Sequence, residues 1–120
     1  MSTLKADTLV AADGTSPVTL TKQSAAKAWL NYDGVTNTAE DSFNVASVTD
    51  VSTGIFTVIY TNSMNNATPA INVSTTDTSF VGISQKSQVT ATQARFEVDN
   101  SASSNRDRDF NSLLAHGDLA

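Results

Sequence analysis

What most limits the folds open to this chain is a period of two. From Ala28 onward apolar side chains recur at alternate positions in short runs, and turn-forming residues interrupt each run. Alternation of that kind turns one face of an extended strand toward a core and the other toward water. Ala28-Trp29-Leu30-Asn31-Tyr32 reads as a first strand, closed by Asp33-Gly34. Ser42 to Val48 is a second, with Phe43 and Val45 alternating against Asn44. A turn cluster at 50–54 leads into Ile55-Phe56-Thr57-Val58-Ile59-Tyr60, the strongest strand signal in the chain. Ala70 to Ser74, Phe80 to Ser84, Ala94 to Val98 and Phe110 to His116 continue the scheme, while 36–41 and 101–109 read as loops. About seven short strands with turns between them predict an all-β antiparallel sandwich or barrel over residues 28–120. No helical stripe is legible in that body.

The 55–60 run is apolar on both faces. Phe56, Val58 and Tyr60 share one side, and Ile55 and Ile59 take the other. Such a strand belongs at the centre of a sandwich or against a neighbouring chain. Ile55, Ile59, Trp29 and Tyr32 are therefore expected in the core or in an oligomer interface. The apolar set is thin for so many strands, and few Lys or Pro residues protect the edges. Both facts favour copies that share surfaces.

The segment before the body behaves differently. Residues 1–27 hold isolated apolar points at Leu4, Leu9, Val10, Val18 and Leu20, with no sustained period. Asp13-Gly14-Thr15-Ser16-Pro17 is a turn signal, and Thr21 would cap a short helix through Lys27. Six or seven residues are too few for a helix that stands alone. The segment reads as an N-terminal attachment arm that orders against a partner.

Composition removes whole classes of function. Twelve acidic residues against seven basic ones give a net charge of -5, so the chain lacks the basic stripe that nucleic acid requires. It has no Cys and one His, which leaves no thiol chemistry and no multi-histidine metal site within one chain. No cofactor is expected. No apolar run nears the ~20 residues of a membrane span, and Met1 to Asp7 has no signal-peptide pattern, so the chain is expected to stay where it is made. Charged residues are 16% of the chain, while 15 Ser, 17 Thr and 10 Asn supply a neutral hydrogen-bonding surface. Thr suits strands, and Ser and Asn suit turns.

Candidate chemistry is sparse. His116 could act as a base only with partners supplied by the fold, and no nucleophile elbow is present. It reads as a surface or interface residue, with a metal site open only if three copies met on a threefold axis. Asn105-Arg106-Asp107-Arg108-Asp109 resembles half of an oxygen-ligand calcium loop but lacks its glycine and distal Glu. It reads as a solvated loop of alternating charge, or as an intersubunit ion-pair loop. Glu40, Asp41, Glu97, Asp99 and the 107–109 acids show no spacing that sets up a glycosidase pair. Asn66-Ala67-Thr68 and Asn72-Val73-Ser74 match the glycosylation pattern as an Asn- and Thr-rich chain does by chance. Trp29 and Tyr32 could stack on a sugar if exposed.

The runs Met1 to Thr8 and Asp13 to Trp29, then Asn31-Tyr32-Asp33-Gly34, Asp41-Ser42-Phe43-Asn44-Val45 and Thr53 to Val58, resemble a family of bacteriophage virion proteins, tail-fibre-like in character. The likeness is strong over the first half and weaker after Ser74, and Phe110 to Gly117 departs from a more apolar closing strand. The resemblance implies a β-rich homotrimer in the virion, assembled in the host cytoplasm and anchored by its arm to capsid or tail proteins. A tail fibre, spike or fibre-adaptor component is the first expectation. A head decoration protein, or a glycan- or receptor-binding module at a fibre tip, is the second. An enzyme acting on surface polysaccharide is the third and has no motif behind it.

Overall fold

A computed structural model describes residues 26–76, 80–100 and 104–117, with Ala12, Gly14 and Ala102 besides. Leu4, Leu9, Val10, Val18 and Leu20 lie outside the described residues, as does the start of the helix expected after Thr21. Lys27, at the far end of that expected helix, is not helical. Its N–H donates to Ala115 O at 2.7 Å, which extends the strand that follows.

Eight strands form the body: β1 (Ala28–Asp33), β2 (Thr38–Phe43), β3 (Val45–Ser52), β4 (Ile55–Tyr60), β5 (Ala70–Thr75), β6 (Phe80–Ser84), β7 (Gln93–Asn100) and β8 (Asn111–His116). They make two four-stranded antiparallel sheets, β2-β1-β8-β5 and β3-β4-β7-β6. This is the all-β sandwich that the alternation predicts. A single turn of 3-10 helix, Lys86–Gln88, lies between β6 and β7.

Two boundaries differ from the sequence reading. Residues 38–43 pair with β1 as an edge strand where a loop was expected. Every residue of β2 is exposed, so the strand has no apolar period to read and is held mainly by its backbone pairing with β1. The expected 42–48 strand is broken at Asn44, whose φ of 57° turns the chain from one sheet to the other. The turn expected at 50–54 shrinks to Thr53-Gly54, because β3 runs on to Ser52 opposite Ile55. Gly54 takes the positive φ of 67° that this tight hairpin needs.

The core lies between the sheets and follows the alternation closely. Ala28, Leu30 and Tyr32 of β1 and Leu113 and Ala115 of β8 face Phe56, Val58 and Tyr60 of β4 and Ala94, Phe96 and Val98 of β7. Tyr32 meets Phe56 edge-on with ring centroids 4.9 Å apart, and Phe56 meets Phe96 at 5.4 Å. Each such fully buried ring is worth about 1.5–3 kcal/mol in transfer terms, and the Tyr32–Phe56 contact joins the two layers while Phe96 braces Phe56 within its own sheet. Asn111 is buried beside it, its Nδ2 donating to Tyr32 O at 3.1 Å and to Arg108 O at 2.8 Å.

The body has two unlike ends. The β1 entry, the Asn44 corner, the β4–β5 connection and the β6–β7 connection meet at one end. The β1–β2 and β3–β4 turns and the 104–110 segment meet at the other.

Candidate attachment and assembly surface

The residues that receive the arm are fixed in place by one side chain. Asn44 Nδ2 donates to Lys27 O at 3.0 Å and to Asn62 O at 3.0 Å, and Asn44 Oδ1 accepts from Asn62 N–H at 2.7 Å. Asn44 O also accepts from Thr61 N–H at 3.2 Å. Three separate stretches of chain are thus tied at the point where the arm becomes β1. Asn suits the place because it tolerates the left-handed backbone and offers both a donor and an acceptor. β1 is an interior strand, hydrogen-bonded to β2 on one side and β8 on the other. Tension on the arm would therefore pass into the middle of a sheet and not into an edge.

Beside this junction the outer face of the first sheet carries an apolar row. Trp29 is paired directly with Phe43 on β2 and with Leu114 on β8. Directly opposed residues of an antiparallel pair share a face, with Cβ atoms about 4.5–5.5 Å apart. Trp29 is half-buried, Phe43 is 53% exposed and Leu114 is 41% exposed. Asn72 and His116 lie on the same face, across from Leu114 and Ala70 respectively. One pair farther along come Asn31, Asp41, Ser112 and Ser74.

The second sheet treats its outward apolar residues differently. Ile55 and Ile59 are half-buried and flank Thr57 on the outside of β4. Arg95 of β7 lies across this stretch, its Nε donating to Thr57 Oγ1 at 2.9 Å. Arg95 is half-buried in this position, directly across from Thr57 in the register.

The opposite end of the body is a charged strap. Asp107 Oδ1 accepts from Gly54 N–H at 2.7 Å, Arg108 O accepts from Gly34 N–H at 2.8 Å, and Arg106 N–H donates to Val98 O at 3.1 Å. The 105–109 segment, expected as a solvated loop, is instead held against both hairpin turns. Asn37 Nδ2 donates to Asp50 Oδ2 at 3.0 Å, and Tyr32 Oη donates to Asn37 Oδ1 at 3.1 Å. Burial raises the Tyr32 phenol, with Asp50, Asp107 and Asp33 adding to the rise. Asp33 is held below the usual carboxylate value, first by the Thr36 N–H it accepts, then by the Thr36 hydroxyl, and least by the Val35 N–H.

The chemical candidates are not gathered together. His116 ends β8 beside the arm, whereas Asp107 precedes β8 at the strap, and β8 alone spans about 17 Å at its rise per residue. Glu40 and Asp41 lie on β2, and Glu97 and Asp99 lie on β7 in the other sheet. Glu40 accepts from Asn31 Nδ2 at 3.3 Å, Glu97 from Gln85 Nε2 at 3.0 Å, and Asp109 from Thr76 Oγ1 at 3.3 Å. Among the described residues no group of three or more His, Asp or Glu side chains is placed to hold a metal ion, and no helix is long and apolar enough to cross a membrane. Tyr32 is fully buried and offers no stacking face, whereas Trp29 does. Sequence reasoning missed Asn44, Phe43 and Leu114. Phe43 and Leu114 were legible as outward positions, but only the register of β1 with β2 and β8 joins them to Trp29.

No family model matches the chain, and no curated protein or solved structure does either.

Proposed function

We propose that this chain is a non-enzymatic structural protein of a phage virion, a trimeric tail-fibre, spike or fibre-adaptor component held to the particle by its N-terminal arm. The observation that carries the reading is the junction at Lys27. An attachment segment is useful only if load on it reaches the folded body, and here it joins an interior strand clamped by Asn44. The resemblance of the first half of the chain to phage virion proteins supports the same reading. His116 and Asp107 lie at opposite ends of the body, which keeps these two candidates from acting on one substrate atom.

The test is incorporation into particles. The full chain with Leu4, Leu9, Val10, Val18 and Leu20 all changed to Ser is expected to keep the circular dichroism of the wild-type body and to be lost from purified virions. Incorporation equal to that of the wild type overturns the anchor. A tag carried by incorporated copies and imaged on the particle then separates tail from capsid, and a capsid lattice of tags favours the decoration reading.

A further inference from the structure

We infer that the Phe43–Trp29–Leu114 row is the surface on which a second copy of this chain docks. The proposal rests on the assembly reading for its setting but names a face that the reading leaves open.

The row is contiguous and uncovered. Three large apolar side chains stand side by side on adjacent strands, two of them 53% and 41% exposed. β1, β2, β5 and β8 themselves hold no Lys or Arg, and Lys27, just before β1, is the one cation next to the row among the described residues. An apolar strip left exposed in this way marks a contact surface.

Charge identifies the occupant. The chain carries 12 carboxylates against seven cations, so most approaches of one copy to another bring like charges together. The described carboxylates are Asp33, Glu40, Asp41, Asp50, Glu97, Asp99, Asp107 and Asp109, and each lies in the middle or strap half of the body. The arm half of the first sheet's outer face has Phe43, Trp29, Leu114, Asn72, Ala70 and His116, with no carboxylate among them. Among the described residues it is the half of this face where an acidic chain meets its own copy with the fewest like charges. Ser74 and Ser112 share one hydrogen bond at 2.7 Å, which leaves the pair one donor and several lone pairs, and Asn72 can both donate and accept, so a rim built from them can bond to an identical rim. A basic partner would find no acid to pair with among the described residues of this half. Copies docked here have their Lys27 junctions at the same end, so their arms leave together and their acidic straps splay apart.

Sedimentation of the full-length chain from micromolar to millimolar concentration tests this, with emission of its single Trp followed in parallel. The wild type is expected to self-associate with a blue shift of Trp29. Phe43→Glu and Leu114→Glu, at exposed positions that folding does not need, should each raise the dissociation constant by at least about tenfold. Val35→Glu, an exposed apolar site at the strap end, should leave it unchanged. If either row variant fails to fold, Leu114→Ser keeps the test open, with a smaller loss expected. Association that is insensitive to the row variants overturns the face and leaves the assembly reading standing. A wild type that stays monomeric throughout overturns the docking, while its incorporation into virions still decides the assembly reading separately. A monomer whose Trp29 emission responds to maltohexaose overturns it in favour of a glycan surface.

Discussion

Asn44 is the residue whose replacement should be most informative, because its backbone and its side chain can be tested apart. Its φ of 57° favours Gly, while its side chain makes three hydrogen bonds, to Lys27 O at 3.0 Å and to Asn62 O and N–H at 3.0 and 2.7 Å. The two bonds to Asn62 are exposed and the one to Lys27 is partly buried, so their sum lies near the low end of three times 0.5–1.5 kcal/mol, about 2 kcal/mol. Asn44→Gly loses the bonds but relaxes the left-handed backbone, so a net loss of about 1–2 kcal/mol is expected. Asn44→Ala loses the same bonds and keeps a Cβ in the left-handed region with no relief, so a loss of about 2 kcal/mol is expected, about 1 kcal/mol more than for Gly. Asn44→Asp retains the acceptor for Asn62 N–H but turns a carboxylate oxygen toward the Lys27 and Asn62 carbonyls, and it should be worse than Gly. Urea unfolding followed by Trp29 emission reads the series, because Trp29 lies two residues from Lys27. With a slope of about 1–3 kcal/mol per molar urea, the Gly-to-Ala difference is about 0.3–1 M in midpoint. A Gly variant as stable as the wild type would show that the side-chain bonds contribute nothing. Equal losses for Gly and Ala would show that the backbone at 44 is not left-handed in solution.

Two further substitutions probe the interior. Tyr60 is buried, its hydroxyl has no hydrogen-bond partner among the described residues, and burial pushes its pKa from 10.0 up to about 12. The folded state thus holds the phenol proton more tightly than the unfolded state, so this contribution to stability is complete below pH 10 and is lost as pH rises toward 12. Tyr60→Phe should match or exceed the wild type at pH 7, by up to about 1–2 kcal/mol, and should unfold less steeply above pH 10 in a pH-jump series; a loss of stability at pH 7 would mean that the hydroxyl is bonded after all. Gly82 lies where β6 passes close to β5, and a Cβ there would come within 2.9 Å of Val73 Cβ. Gly82→Ala should cost about 1–3 kcal/mol by thermal unfolding, with part of it recovered in the double variant with Val73→Ala; additive losses would refute the contact.

Period two carried the sequence reading wherever a strand had one wet and one dry face, as β1, β7 and β8 do. It failed at β2, which is wet on both faces and is a strand only because β1 offers it an edge. The break at Asn44 was not legible either, since a left-handed residue inside Phe43-Asn44-Val45 leaves the alternation of the letters intact. Trp29 and Tyr32 lie three residues apart, an odd step along a strand that puts them on opposite faces, so only one of them can face out. Tyr32 is accordingly in the core while Trp29 faces out. What no local pattern could supply is the insertion of β8 between β1 and β5, which brings Leu114 beside Trp29 from 85 positions away in the chain.

That insertion also explains why the two outer faces differ. β4 and β7 pair directly although 38 positions separate Thr57 from Arg95, and the Arg95 guanidinium reaches across to the outer side of β4 at Thr57. β1 has as its inner neighbour the last strand of the chain, and the outward residues there, Ser112, Leu114 and His116, include no long cationic side chain that could lie over Trp29. β2 on the other side presents Phe43 and Asp41, again with no cation. The described carboxylates meanwhile gather toward the strap, where hairpin-turn and side-chain N–H groups receive Asp33, Asp50 and Asp107. Backbone donors at turns are the natural partners for acids in a chain with few cations, and those turns lie at the end away from the arm. The neutral apolar half and the arm junction therefore share an end because the acids are drawn to the other one.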